Sequence, residues 1–228
     1  MPAERFFVDA DLIDSVSVEG TEFHHLVHVM RVRLGDEVEL VNGRGALANA
    51  KVASFSKHSA NLQILSVDQT PLSLPKVILA IPLMRPSKLE LIIEKGTELG
   101  ADAFYLYPAD HSEKDDLSEN QLERLHHIAI SAMKQCGRLD LPQIQLFKRL
   151  QDLFTLPGTF LFGDTRTDAK KISYSAPPAV FITGPERGFS EKELKILNEK
   201  ALGVRLHKNI LRAETAPLAA CIMLMVII

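Results

Sequence analysis

From residue 76 onward, short and mostly apolar runs alternate with capped amphipathic segments, and few folds accept that rhythm. The runs are KVILAIPL, AFYLYP, PQIQLF, TFLFGD and AVFIT. Between them lie KLELIIEKGTEL, with Ser87 as its expected cap and Gly100 as its stop, and a long segment opened by Ser118-x-x-Gln121 that reaches about Cys136. Strands with apolar residues on both faces need cover on both, and helices inserted between them supply it, so this half reads as α/β around a parallel sheet. After a last helix at 191–200 come the strand GVRL and an uncharged tail, APLAACIMLMVII, at 216–228. The tail is shorter than the roughly 20 residues a membrane span needs and reads as a helix buried on all sides, so no membrane is expected.

The first 70 residues follow a different rule. DEVELVN, GALANAKVASF and NLQILSV are alternating or β-rich, with Asn42-Gly43 as a turn signal between the first two. One helix, EFHHLVHVMR with Thr21 as its expected cap, interrupts them, and the set reads as a small β-barrel. DQTPLSLPK, with its two prolines, reads as a linker at about 68–76. The expected division is therefore 1–70 and 75–228. A 46% apolar fraction and a formal charge of −3 suit a globular protein and leave any nucleic-acid contact to local patches. Two cysteines 85 positions apart, Cys136 and Cys221, suit a reducing cytoplasm and buried thiols; no leader is expected of MPAERFFVDADLIDS.

In parallel sheets, ligands sit beyond the carboxyl ends of strands, and two odd loops occupy such places. ITGPERGFSEKE, 182–193, leaves a strand through Gly184, Pro185 and Gly188 before the Ser190/Glu193 capping box opens a helix. A plain turn needs fewer special residues; glycines here serve either a tight turn or the approach of backbone to a bound group. RLHKNILRAETAPLAA, 205–220, places Arg212 between apolar stretches, where it needs an anionic ligand or an acid such as Glu214. Glu214, Thr215 and Pro217 fit a helix start.

Other chemistries lack their motifs. No GxGxxG opens a helix after a strand, and neither GxxxxGK[ST] nor GxSxG occurs. His24 and His28 stand at i, i+4 without further ligands, and His126 and His127 point apart on a helix, so no metal is expected.

GPERGFSEKE followed by NILRAETAPLAA resembles the paired signature of the SPOUT superfamily of S-adenosylmethionine-dependent RNA methyltransferases. FHHLVHVMRVRLGDEVELVNGRG, LELIIEKGTELGADAFYLYP and AMKQCGRLDLPQI are similar to further segments of its bacterial 16S ribosomal RNA (uracil-N3) methyltransferase family, in the same order. The resemblance implies a PUA-like RNA-binding barrel before a domain whose C-terminal chain forms a trefoil knot, a rare exception to unknotted topology. It also implies a cytoplasmic homodimer that methylates N3 of a specific uridine in 16S rRNA of the small ribosomal subunit. Alternatives are a methyltransferase of the same fold acting on another RNA such as tRNA, or a non-catalytic RNA-binding or assembly protein.

The cofactor contacts so implied are Thr183, Gly184, Pro185, Glu186, Gly188, Leu206, Ile210, Leu211, Glu214 and Thr215, with Arg212 as the residue acting on substrate. Glu186 and Glu214 are candidate proton acceptors. Arg5, Arg31, Arg33, Arg44 and Arg187 are candidate RNA contacts. The chain departs from the family where Arg187 replaces a glycine, where His207 and Asn209 replace a glycine and an arginine, and where ADHSEKDD lacks an Arg-Ser pair. Arg187 is expected at φ < 0 with its side chain turned from the cofactor toward RNA phosphate.

Overall fold

The structure is a computed structural model that describes residues 5–173 and 176–227. It separates into two compact units: residues 1–73 together with 130–141, and residues 74–129 together with 142–228. The stretch 130–141 thus groups with the first unit, although it lies within the segment read from sequence as the second domain.

The first unit holds β1 (Arg5–Phe7), β2 (Ser15–Glu19), α1 (Gly20–His24), β3 (Glu37–Val41), β4 (Ala46–Phe55) and β5 (Ser59–Gln69). They form one curled, half-barrel sheet in the order β1-β3-β4-β5-β2, antiparallel apart from the β1–β3 pair. Alternation along β4 places Ala46, Ala48, Ala50 and Val52 in a core with Phe6, Leu26, Leu40 and Leu62. Thr21 is not a cap: Glu19 holds that position without a side-chain bond, and the helix loosens into a π turn at His25–Val29. Nor is Asn42-Gly43 a two-residue turn. Asn42 Oδ1 accepts the N–H groups of Arg44 and Ala46, a longer loop in which both Gly43 and Gly45 have positive φ.

The second unit carries β6 (Val77–Pro82), α2 (Pro86–Glu98), β7 (Ala103–Tyr107), β8 (Gln143–Leu146), β9 (Thr159–Gly163), β10 (Lys170–Lys171), β11 (Ala179–Ile182), α4 (Glu191–Lys200), β12 (Leu202–Arg205) and α5 (Thr215–Ile227); α3 (Glu119–Cys136) starts in this unit and ends among residues of the first. The sheet order is β10-β12-β9-β11-β6-β7-β8, with every pair parallel. Every residue of β6, β7 and β11 is buried, as strands covered on both faces require. After β6 the chain moves toward β7; after β11 it moves the other way, toward β12. That reversal opens a crevice beyond the strands' carboxyl ends.

Of the two serine caps expected in this unit, one forms and one does not. Ser118 and Gln121 do exchange hydrogen bonds, Ser118 N–H to Gln121 Oε1 at 3.0 Å and Gln121 N–H to Ser118 Oγ at 3.3 Å. Ser87 does not cap α2; Arg85 is the cap residue and Pro86 opens the helix, where its missing N–H costs nothing. The tail helix α5 is apolar all round but buried on one side only. Pro217, Ala220, Cys221 and Leu224 are buried as it packs on α2, β6 and β11, while Ile222 is 48% and Val226 82% exposed. Ile228, the last residue of the expected helix, lies outside the described residues. Cys221 is buried, but Cys136 is exposed. Among the described residues no helix is long and apolar enough to cross a membrane.

Candidate functional site

Three adjacent strands, β9, β11 and β12, run out into one cavity of about 880 Å³, with Lys88 of α2 on its wall. The continuation of β11 supplies Thr183, Gly184, Pro185, Glu186, Arg187 and Gly188. Thr183 extends the strand by donating its N–H to Ala80 O at 2.9 Å, and its own carbonyl accepts the hydroxyl of Tyr107 at 2.6 Å. Burial, with the Glu193 carboxylate nearby, pushes the Tyr107 phenol well above its usual pKa, so it remains a donor. The Thr183 side-chain Oγ1 is buried and has no hydrogen-bond partner.

The two glycines of this loop have separate reasons. Gly188 sits at φ +75 in a turn closed by its N–H to Pro185 O at 2.8 Å, and a Cβ there would meet nothing within 4 Å. Conformation requires it, not space. Gly184 lies under the Phe189 ring, which a Cβ would approach to 3.1 Å. Beyond them the capping box forms: Ser190 Oγ accepts Glu193 N–H at 3.1 Å and Glu193 Oε2 accepts Ser190 N–H at 2.8 Å. Buried Glu193 also accepts Asp110 N–H through Oε1, and Ser190 Oγ donates to Asp110 Oδ2 at 2.5 Å. His111 Nδ1 stands 3.0 Å from Gly188 O; since a carbonyl only accepts, that nitrogen carries the hydrogen. The segment HSEKDD, which departs from the family pattern, thus contributes His111 as a brace of the first loop.

The second loop is held by Arg205. Its guanidinium donates to three backbone carbonyls: His207 at 3.0 Å, Thr167 at 3.2 Å and Lys208 at 2.7 Å. Asn209 N–H donates to His207 Nδ1 at 3.1 Å, so the two residues that replace the family's glycine and arginine form a local turn. Leu206, Ile210, Leu211, Arg212 and Glu214 line the cavity from this loop, whereas Thr215 opens α5 and is not among the lining residues. Arg212 is 84% exposed at its side chain, and its nearest approach to Glu214 is 3.9 Å.

Sequence reasoning missed Lys88. Its ammonium lies 2.9 Å from Glu186 Oε1 and 3.2 Å from Glu214 Oε2, so one cation joins the two loops. The Glu214 contact is an ion pair without hydrogen-bond alignment, and that oxygen, fully buried, has no hydrogen bond. Burial pushes the Glu214 carboxyl upward, but a backbone hydrogen bond and Lys88 outweigh it and hold the group below its ordinary pKa. Asp164, at the end of β9, was missed as well. It is buried and held below the carboxylate range by hydrogen bonds from the Arg166 side chain. The rule about carboxyl ends pointed to Asp164, as it follows TFLFG directly. For Lys88 the sequence carried no signal, because its partners are about 100 and 126 positions away.

The candidate RNA contacts fare unequally. Arg5 is only 12% exposed at its side chain, donating to Glu39 at 2.9 Å and to Gly137 O at 2.9 Å, so its guanidinium is engaged within the fold. Arg44 is already offset by Asp9 and Asp11. Arg31 and Arg33 are exposed, Arg31 at φ 55. Arg187 avoids positive φ, since Asp14 and Arg31 are the non-glycine residues that have it among those described. Arg187 is among the residues that line the cavity, and its charge adds to that of Arg85 in holding the Glu113 carboxyl below its ordinary pKa. His24 and His28 meet ring to ring at 4.8 Å, and no group of three or more potential metal ligands gathers among the described residues.

Comparison with known proteins agrees with this layout. Residues 70–225 match the RNA methyltransferase domain family, and residues 18–65 match the RNA methyltransferase PUA domain. Ribosomal RNA small subunit methyltransferase E of Bacillus subtilis is 31% identical over 95% of this chain and 94% of its own. The protein of the same name from Synechocystis is 33% identical over 90% of this chain and 71% of its own. The crystal structure of the Neisseria gonorrhoeae enzyme of that name, bound to S-adenosyl methionine, superposes with a TM-score of 0.87 at 28% identity, covering 99% of this chain and 98% of that one.

Proposed function

Because this chain belongs to the RNA methyltransferase family with an associated PUA domain, we propose that it transfers a methyl group from S-adenosylmethionine to N3 of a specific uridine in the 16S rRNA of the small ribosomal subunit. The observation that carries the reading is the cavity. Both signature loops converge on it, and within it two buried polar atoms, Thr183 Oγ1 and Glu214 Oε2, lack hydrogen-bond partners. Buried polar atoms rarely stay unpaired, and a volume of about 880 Å³ admits a nucleoside with an amino-acid tail. The residues fit the cofactor.

When bound, the cofactor supplies an activated methyl on a sulfonium. The chain supplies position and charge. Thr183, Gly184, Gly188, Leu206 and Leu211 line the cavity with backbone and apolar surface that would hold and orient the donor. Uracil N3 carries a proton at neutral pH, so the anion that attacks needs a proton acceptor and a stabilising cation. Glu186 and Glu214 are the carboxylates on the cavity wall that would serve as acceptors, and exposed Arg212, on the same wall, would steady the negative charge on the base. Arg31 and Arg33 remain our candidates for RNA phosphate.

The protein acts as a homodimer in this reading, without a metal and in the cytoplasm, and the apolar outer face of α5 with Ile222 and Val226 is the surface that pairing would cover. The loop 205–214 and the return of α5 onto β6 and β11 are the segments that a trefoil knot would involve. The test is a labelled-methyl transfer assay with unmodified small subunits, bulk tRNA and no substrate. Incorporation into 16S rRNA, mapped to uracil N3, is expected; incorporation only into tRNA, or none, overturns the proposal.

A further inference from the structure

Among the charged groups on the cavity wall, the Lys88–Glu186–Glu214 cluster has unused capacity. Asp164 spends both oxygens on Arg166, with Oδ1 accepting the Arg166 backbone N–H and Oδ2 accepting Nε and Nη2. Arg205 spends its guanidinium on carbonyls. By contrast, Glu214 Oε2 is buried without a hydrogen bond, and it can only accept. Lys88 has three N–H donors, one of them committed to Glu186 at 2.9 Å, and its approach to Glu214 at 3.2 Å is not aligned as a hydrogen bond. The cluster therefore offers an acceptor and donors side by side, and its net charge is negative, one ammonium against two carboxylates.

A group bearing both an ammonium and a carboxylate matches this arrangement. Its ammonium would satisfy Glu214 Oε2, and its carboxylate would take the spare donors of Lys88. The free α-amino-acid end of the cofactor is such a group; the adenosine end is not. We propose that Lys88 and Glu214 form the subsite for the amino-acid end of S-adenosylmethionine, with Lys88 also fastening the two cavity loops through Glu186. This assignment rests on the methyltransferase reading above. It commits Glu214 to the cofactor and leaves Glu186 as the carboxylate for the N3 proton.

The experiment is calorimetry on the full chain with two probes. S-adenosylhomocysteine carries the amino-acid end, and 5′-methylthioadenosine keeps the adenosine and thioether but lacks it. Removing one charge-assisted hydrogen bond should weaken affinity about tenfold. Wild type should prefer the first probe by roughly 100-fold, the product of two such bonds. Lys88→Met and Glu214→Gln should each erode that preference about tenfold while leaving 5′-methylthioadenosine within about twofold, and Lys88→Arg should retain most of it. Thermal unfolding without ligand checks that each variant folds, and the near-isosteric Glu214→Gln serves if Lys88→Met does not. An unchanged preference in both variants, or equal weakening of both probes, overturns the subsite while leaving the methyltransferase reading intact. A wild type that binds neither probe removes that reading and the subsite with it.

Discussion

Tyr107 shows how a single side chain can set a loop whose sequence lies 76 positions away. Its fully buried hydroxyl is the donor to Thr183 O, at the point where β11 becomes cavity wall. Tyr107→Phe should leave that carbonyl under-satisfied and cost about 1–3 kcal/mol of unfolding free energy in denaturant titration. Arg212 makes the opposite case: exposed and weakly paired, it contributes little to the fold. Arg212→Ala should leave the melting temperature and cofactor affinity nearly unchanged but lower kcat by ~10² or more. Asp164 gives a pH test. Its folded pKa is depressed by Arg166, so its stabilisation is present above the unfolded value near 3.9 and is lost as pH falls through the folded one. Wild type should therefore lose more stability between about pH 5 and 3 than Arg166→Ala does, as followed by thermal melts across that range.

Among the elements, the start of α4 was the most legible, because a capping box is written in four consecutive residues. Ser190 and Glu193 do what their spacing predicts, and Glu193 additionally receives Asp110 N–H from another loop. Glu193→Ala should thus exceed an ordinary cap loss of about 1 kcal/mol, reaching roughly 2 kcal/mol in chemical denaturation, since a second backbone donor, Asp110 N–H, also loses its acceptor. Ser87 misled because serine before a helical run suits a cap, yet Pro86 in front of it already takes the first helical position. The strands β1, β2 and β10 escaped the sequence reading: they are short or polar at alternate positions, and only pairing with β3, β5 and β12 makes them strands.

At the scale of the whole molecule, the tail helix carries the clearest test. Ile222 and Val226 leave an apolar stripe on α5 facing outward, which a second copy would cover in the proposed homodimer. Ile222→Lys with Val226→Lys should yield monomers in sedimentation velocity at concentrations where wild type is dimeric, with the monomer still folded because the buried face of α5 is untouched. Dimers unaffected by both charges would place the interface elsewhere. The sequence by itself determined the alternation of buried strands and helices, the two loops at the carboxyl ends of strands, and the glycine that a positive φ at 188 demands. Those are local properties, set by periodicity, capping and backbone sterics within a few residues. The tertiary structure alone decided that Lys88 meets Glu186 and Glu214, that Arg5 is engaged within the fold, that Arg187 lines the cavity, and that 130–141 groups with the first unit. Charge pairs and burial depend on chain segments brought together from 34 to 132 positions apart, and no local pattern encodes which segments will meet.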